Sequence, residues 1–434
     1  MAEISIQKSF RLKSLFLPIL CLLFLVLYFI DAYRGWSVLL IGFGGAVLIS
    51  FFWARGLSRG LYLNREMRFG WAQVGDHLEE RFTLINHSRF PGIWVEVFDQ
   101  TNMPNYQASQ VRGVGGFTEN RWIVRSVCSQ RGLFIFGPTT VRATDPFGLF
   151  SVTLHDPRSA TMIVMPPVVS LPPIQVAPGG RVGEGTPLFN APERTVSSAS
   201  VREYVPGDSL RWVHWKTTAR RNEIFVRIFE GMPAGDWWIV LDLDQNVQEG
   251  TGLDSTQEHG IILAASLANL GMRSGRSVGL ITYGKDLVWL SPKMSDEHNW
   301  AILRELALVE TGDYPLPDLL ELARPNLGRN TSLILITPSV KDNWIEPLLA
   351  TRQQQVVPTV LLFDPVTFGG SEAIDAVEGT LNEMGFNHDV ISRDLLDSKD
   401  LQPGHEGHWK WRITPLGKAV SVQEGQELDW RKLA

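Results

Sequence analysis

Cysteine is scarce in this chain, basic residues are in deficit, and the phosphate-binding glycine loop is missing; each absence removes a class of function. Only two cysteines occur in 434 residues, Cys21 inside an apolar run and Cys128 far from it. That count excludes a disulfide framework and a Cys-x-x-Cys metal pair, and no disulfide-linked partner is expected. Lys and Arg number 40 against 46 Asp and Glu, a net charge of −6. Nucleic-acid binders normally show the opposite balance, so no nucleic-acid partner is expected. No G-x-x-x-x-G-K-[ST] run occurs, which argues against a P-loop nucleoside triphosphatase. What remains is a chain long enough for two or three domains, each with a core of its own.

Long apolar runs are present, and both lie near the N-terminus. Residues Leu15 to Ile30 and Trp36 to Trp53 contain no charge. At about 1.5 Å per residue they cover about 24 and 27 Å, slightly under a hydrocarbon core of about 30 Å. Flanking Tyr, Trp and Arg can close that gap. A signal peptide also begins with basic residues, but no small-residue cleavage site follows the first run, and the second arrives after only DAYRG. Residues 1–60 therefore read as a two-helix membrane hairpin with spans at about 15–30 and 36–53. Lys8, Arg11 and Lys13 precede the first span, and Arg55, Arg59 and Arg65 follow the second, whereas the connecting loop offers only Arg34. The positive-inside rule then places both termini in the cytoplasm of a plasma (inner) membrane protein.

Residues 61–173 show short alternating runs, among them HLEERFTLIN, IWVEVFDQ and NRWIVRSVCS, separated by turn residues. A period of two predicts an antiparallel, sandwich-like β-domain. Residues 174–200 are rich in Pro, Gly and Ser and read as a linker or surface-tracking strap. Beyond 201 the pattern changes. WWIVLDL, SVGLITY, TSLILIT and VVPTVLLF are nearly continuous apolar runs, the signature of strands covered on both faces. Helical patterns such as EHGIILAASLANLG and DEHNWAILRELALVE alternate with them. The expected fold of 201–434 is a doubly wound parallel α/β sheet. The run His408 to Val422 reads as an edge strand or hairpin, and residues 408–434 have no assigned role.

Between the two patterned regions lies Arg202 to Glu230, REYVPGDSLRWVHWKTTARRNEIFVRIFE. Its R-x-Y-x-x-G-D-x-x-R-x-x-x-W-K-x-x-A-R order resembles the signature of the domain-of-unknown-function 58 family. That resemblance implies an α/β domain like that of von Willebrand factor A and a partnership with a MoxR-type AAA+ ATPase. Arg202, Tyr204, Gly207, Asp208, Arg211, Trp215, Lys216 and Arg220 are the positions that carry it. On a helix, Arg211, Trp215 and Thr218 would share one face. Their chemistry suits a joint or clamp in which guanidinium groups meet carboxylates or indole rings. His214 has no Cys nearby and Ser209 lies five residues away, so no nucleophile–base pair is evident and no catalytic residue is assigned.

The resemblance also implies a cation site at the carboxyl ends of the central strands, built as D-x-S-x-S with a later Thr and Asp. This chain has Asp242-Leu-Asp244-Gln-Asn246 at the first position and Pro338-Ser339 after TSLILIT. The first expectation is a protein with no cofactor; the alternative is Mg²⁺ held by Asp242, Asp244 and Asn246 with waters. Functionally, the sequence points to a non-enzymatic, membrane-anchored interaction protein that works in envelope or membrane-complex assembly. A metal-dependent ligand-binding module and a hydrolase are the alternatives.

Overall fold

A computed structural model describes residues 6–31, 33–67, 70–171, 174–177, 198–204, 213–221, 223–229, 236–328, 331–396, 411–413, 419–421 and 431–432. The chain divides into two compact units. One is built on Met1–Pro167 and the other on Val168–Ser398, with the C-terminal residues shared between them.

The first unit opens with a strand, β1 (Gln7–Leu12), followed by the helices α1 (Phe16–Ile30) and α2 (Arg34–Gly60). Strands β2 (Leu61–Met67), β3 (Trp71–Gln73), β4 (His77–Asn86), β5 (Gly92–Thr101) and β6 (Gln110–Val114) follow. The unit is completed by β7 (Thr118–Val127), β8 (Gly132–Thr144), β9 (Phe150–Asp156) and β10 (Ala160–Met165). One seven-stranded sheet runs β1-β9-β8-β10-β3, with β5 also paired to β8 and β6 to β5. The second sheet runs from the short strand Arg431–Lys432 through β2 and β4 to β7. Alternation explains the packing: Leu78, Glu80, Phe82, Leu84 and Asn86 of β4 are buried, while their neighbours Glu79, Arg81 and Ile85 are less so. The all-β region expected from the period of two is present. The sequence pattern does not predict a strand at Gln7–Leu12, whose basic residues read only as charges beside a span; it forms by pairing with β9.

Helix α2 is long and apolar enough to cross a membrane, with a mean hydropathy of 2.1. Helix α1 is a shorter apolar helix of 15 residues. Phe24 of α1 stacks on Trp36 and Phe43 of α2. At the other end of α2, Ser50, Ala54, Leu57 and Gly60 are buried at helical spacing. The backbone of the β4–β5 loop approaches closely there. A side chain on Gly60 would collide with the amide of Ser88.

The β unit encloses a charged cluster. Arg65 of β2 forks onto Glu80 at 2.9 Å and reaches Asp99 at 3.0 Å. Asp99 also accepts from the Thr139 hydroxyl at 2.6 Å, and Glu80 accepts from the Tyr106 hydroxyl. Burial, with Asp99 adding repulsion, pushes Glu80 up from the ordinary carboxylate range, and burial does the same to Asp99. Arg65 keeps its charge and is itself pushed up by the two acids it faces.

The second unit contributes β11 (Ser198–Glu203), α3 (Trp215–Arg221), β12 (Phe225–Phe229) and β13 (Trp237–Leu241). It continues with α4 (Thr256–Arg273), β14 (Val278–Tyr283), β15 (Leu287–Lys293), α5 (Asp296–Leu308) and α6 (Leu316–Ala323). Then come β16 (Ser332–Thr337), α7 (Ile345–Arg352), β17 (Val357–Phe363), α8 (Asp375–Glu383) and β18 (Asn387–Ile391). The main sheet has the order β15-β14-β13-β16-β17-β18. All pairings are parallel except β14 with β15. A purely parallel sheet was the expectation. It is corrected at this edge, where three residues join β14 to β15 as a hairpin, too few for the crossover that a parallel pairing needs. Trp238 and Val240 of β13 pack with α6, α7 and α8, and Leu241 meets α4 at Gly260 on the other side. Helices on both faces account for the unbroken apolar strands.

Residues 174–177 run against this sheet. The amide of Ala177 donates to Thr359, Ser332 donates to the carbonyl of Ala177, and Asn387 donates to that of Gln175. Thus the described start of the expected linker is a strap on the α/β unit. Trp411–Ile413 and Ala419–Ser421 pair as a separate two-stranded sheet.

Candidate functional site

Two places in the second unit carry the residues singled out from sequence. The first is the signature segment. Strands β11 and β12 pair antiparallel, with Arg202 opposite Val226 and Glu203 opposite Phe225. The amide of Tyr204 donates to Ile224 at 2.8 Å. Gly207, Asp208 and Arg211 lie outside the described residues, so their expected part in a joint or clamp is not placed. Among the described residues the helix runs from Trp215 to Arg221, and Val213 before it forms a bridge with Val226. His214 marks its start, where Nδ1 accepts from the Thr217 amide at 3.2 Å and meets its hydroxyl at 2.7 Å. Such an N-terminal cap is a structural use of histidine. Trp215 is 71% exposed, and Lys216 and Arg220 are exposed beside it. The helix therefore presents an indole and two cations outward. Thr218 ties it back by accepting from the Phe225 amide at 3.0 Å.

The second place is the sheet's switch point, where β13 lies between β14 and β16. Chain order runs outward in both directions from there, and open α/β sheets bind ligands at such points. Asp242 follows β13 and Thr337 ends β16. The Thr337 hydroxyl donates to Asp242 Oδ2 at 2.6 Å, and the Asp244 amide donates to Oδ1 at 3.1 Å. Asp244 Oδ1 in turn accepts from Asn246, through its amide at 3.0 Å and its side chain at 2.7 Å. Burial is the main reason that the Asp242 carboxyl is raised from 3.8 to about 6, with the charge of Asp244 adding to it. The Thr337 and Asp244 donors pull it back only in part.

Neighbouring loops complete the arrangement. Gln248 donates to the carbonyls of Asp242 and Asp244, and Thr256 of α4 donates to Gln248. Asp244 bridges to Gly312, and Gln245 donates to Asp313. Gly312 must be glycine, since a Cβ there would strike the carbonyl of Gly284. Tyr283 and Tyr314 stack beside this loop with centroids 4.0 Å apart.

Asp242, Asp244 and Asn246 are thus brought together, but not as a cation site would need them. Both oxygens of Asp242 already face protein donors, and Asn246 turns its amide nitrogen, not its oxygen, toward Asp244. No group of three His, Cys, Asp or Glu able to hold a metal occurs among the described residues. Hard divalent cations take six or more oxygens, so the donor set does not fit Mg²⁺. Thr337 closes the TSLILIT run, and the parallel pairing of β13 with β16 brings it to Asp242. Gln245, Gln248 and Asp313 were not foreseen, and only the adjoining Gly312-Asp313 pair hinted at them.

Comparison with known proteins bears on this unit. Residues 200–368 match the family described as Protein of unknown function DUF58. The match includes β12 to β17, the signature helix and both switch-point loops. The uncharacterized protein Rv1480 of Mycobacterium tuberculosis is 25% identical over 170 residues, 38% of this chain and 54% of that protein. A Mycobacterium bovis protein, Mb1516, gives the same values. The chain spans about half the length of these curated relatives. The uncharacterized protein YeaD of Bacillus subtilis is 25% identical over 304 residues, 66% of this chain and 72% of its own. Among solved structures, an aerotolerance-related membrane protein from Bacteroides fragilis is similar at 16% identity and a TM-score of 0.23, over 30% of this chain and 67% of that one. At that score the likeness carries no argument.

Proposed function

We propose that this protein is a non-enzymatic, membrane-anchored docking protein whose von Willebrand A-like unit presents its switch-point loops to a cytoplasmic partner. The observation that carries this reading is the self-satisfied switch point. Asp242, Thr337, Asn246 and Gln248 hydrogen-bond one another or the backbone there, so the loops are held as a fixed surface with little donor capacity left for a cation or substrate. Gln245 stands exposed at its tip, and an exposed residue on a rigid loop suits recognition. The sheet order and the antiparallel edge strand support the von Willebrand A-like assignment. The resemblance of the signature segment supplies the partner, a MoxR-type AAA+ ATPase, and by analogy a role in envelope or membrane-complex assembly. Helix α2, with α1 packed on it, anchors the chain as a two-span hairpin in the plasma membrane, both termini cytoplasmic.

The test is affinity purification of the full chain from native membranes, with and without nucleotide. An AAA+ ATPase is expected with the wild-type chain and is expected to be lost with Gln245→Arg combined with Asp313→Lys. Failure to recover an ATPase under either condition contradicts the reading.

A further inference from the structure

Lys13, Trp94, Glu96, Arg142 and Thr144 line an open polar recess of about 360 Å³ in the β unit. Sheet register explains why residues so distant in sequence meet. Thr144 lies opposite Ser151, and Ser151 lies opposite Arg11. Arg142 lies opposite Glu96. Paired residues share a face, as do residues two apart on one strand, so Arg11, Arg142, Glu96 and Thr144 all point outward together. Lys13 continues β1, its amide donating to Leu149 at 2.7 Å. Arg11, Lys13 and Arg142 are exposed. Trp94 is 57% exposed, and its indole donates to Glu96 at 3.2 Å. Lys13 and Arg142 against Glu96 give the recess a positive balance, and Arg11 adds to it from the same face.

Its position narrows the ligand. Lys13 stands three residues before α1, a separation of at most about 10 Å. Each headgroup layer beside the hydrocarbon is roughly 5–8 Å thick. The β4–β5 loop that leads to Trp94 is fastened to α2: Trp53 donates to the carbonyl of Pro91 at 2.9 Å, and its ring lies 5.1 Å from that of Phe90. With 27 residues α2 is about 40 Å long, about 10 Å more than a hydrocarbon core. The excess corresponds to the end that starts near Trp53, where Ala54, Leu57 and Gly60 are buried in the β unit. Trp53 therefore marks the membrane boundary, and the recess lies beside it.

We propose that this recess binds the phosphate-bearing headgroup of an anionic phospholipid in the leaflet adjoining the β unit. The proposal rests on reading α2 as a membrane anchor. Arg142 supplies a planar fork for phosphate oxygens, Lys13 and Arg11 supply point attraction, and Trp94 has the amphipathic ring that settles at the interface.

Native mass spectrometry of the detergent-solubilised full chain, given equal phosphatidylglycerol and phosphatidylcholine of matched acyl chains, tests it. Phosphatidylglycerol should be retained preferentially. Lys13→Gln and Arg142→Gln should each lower that retention about fivefold, as expected for one basic residue at an anionic surface. The exposed pair Arg121→Gln and Arg125→Gln on β7, a loss of two charges, should leave it unchanged. Lys13→Arg, which keeps the charge, should retain the lipid. Inorganic phosphate at millimolar concentration should not displace it; full displacement would assign the recess to free phosphate and overturn the lipid proposal. Equal retention of both lipids, or no loss in either Lys13→Gln or Arg142→Gln, would also overturn it. Alkaline carbonate separates the two readings. Release of the chain from membranes would defeat the anchor and the lipid site together, whereas a chain that stays in the pellet without lipid preference defeats the lipid site alone.

Discussion

Glu80 and Asp99 in the β unit and Asp242 and Asp244 in the α/β unit are all carboxylates removed from water, yet among the described residues only the first pair is given a cation. Arg65 donates to both Glu80 and Asp99, and the cluster sits among apolar side chains such as Phe82 and Phe136, with whose rings its guanidinium also associates. Asp242 receives a hydroxyl and an amide, and no cation acts on it among the described residues. The difference teaches what each site is for. A carboxylate pair locked by a guanidinium fixes the register of β2, β4 and β5. An uncompensated carboxylate at the loops of a switch point costs stability, and such a cost is characteristic of sites retained for a purpose other than folding.

The comparison breaks most severely at Arg65. Arg65→Met leaves two buried acids without their cation and should destabilise the β unit by about 3–5 kcal/mol. Unfolding of the detergent-solubilised chain, followed by intrinsic fluorescence, should show an earlier transition. Replacing Glu80 by Gln in the same chain should recover part of the loss, and no recovery would show that charge is not the cause.

Asp242→Asn should act in the opposite sense. Its folded value of about 6 lies above 3.8, so the folded state binds the proton more tightly than the unfolded one. The associated stability is present below about pH 4 and is lost as the pH rises through 6. At pH 8 the ionised carboxylate costs of the order of 2–3 kcal/mol, which Asn would remove. Thermal unfolding should therefore show the variant more stable than wild type at pH 8 and equal to it near pH 4. Equal stability at both would mean that Asp242 is solvated or paired.

Thr337→Val is a smaller test of the same site. Loss of a hydroxyl donor to a charged acceptor should cost about 1–2 kcal/mol at pH 8 and less at pH 4, where the acid is protonated. A pH-independent loss would make the effect one of packing alone. Smaller again, Arg121→Ala removes an exposed partner of Glu119 on β7 and should change stability by less than about 1 kcal/mol. Mg²⁺ at millimolar concentration should leave the transition where it is, since a ligand shifts stability only by binding the folded state.

The four apolar runs beyond residue 236 were legible as β13, β14, β16 and β17 because a strand covered on both faces has no polar positions to confuse its pattern. Strand β18, Asn387–Ile391, was not, since an edge strand reading NHDVI lacks that run. β15 alternates weakly for the same reason. β1 escaped notice because QKSFRL owes its place to pairing with β9, more than 130 residues away, and such pairing leaves no local trace. At the candidate site, Asp242 and Asp244 were legible from the strand before them. Their partners were not, because the Thr337 hydroxyl and the Gly312 backbone reach them through parallel strand pairing and a loop contact that no spacing encodes.

The docking surface is the central claim, and photo-crosslinking from its exposed tip tests it most directly. A photoactivatable amino acid at position 245, in the full chain in its own membrane, should give an adduct with an AAA+ ATPase, while the same group at position 121 on β7 should not. No adduct at 245, or the same adduct from both positions, would contradict the account.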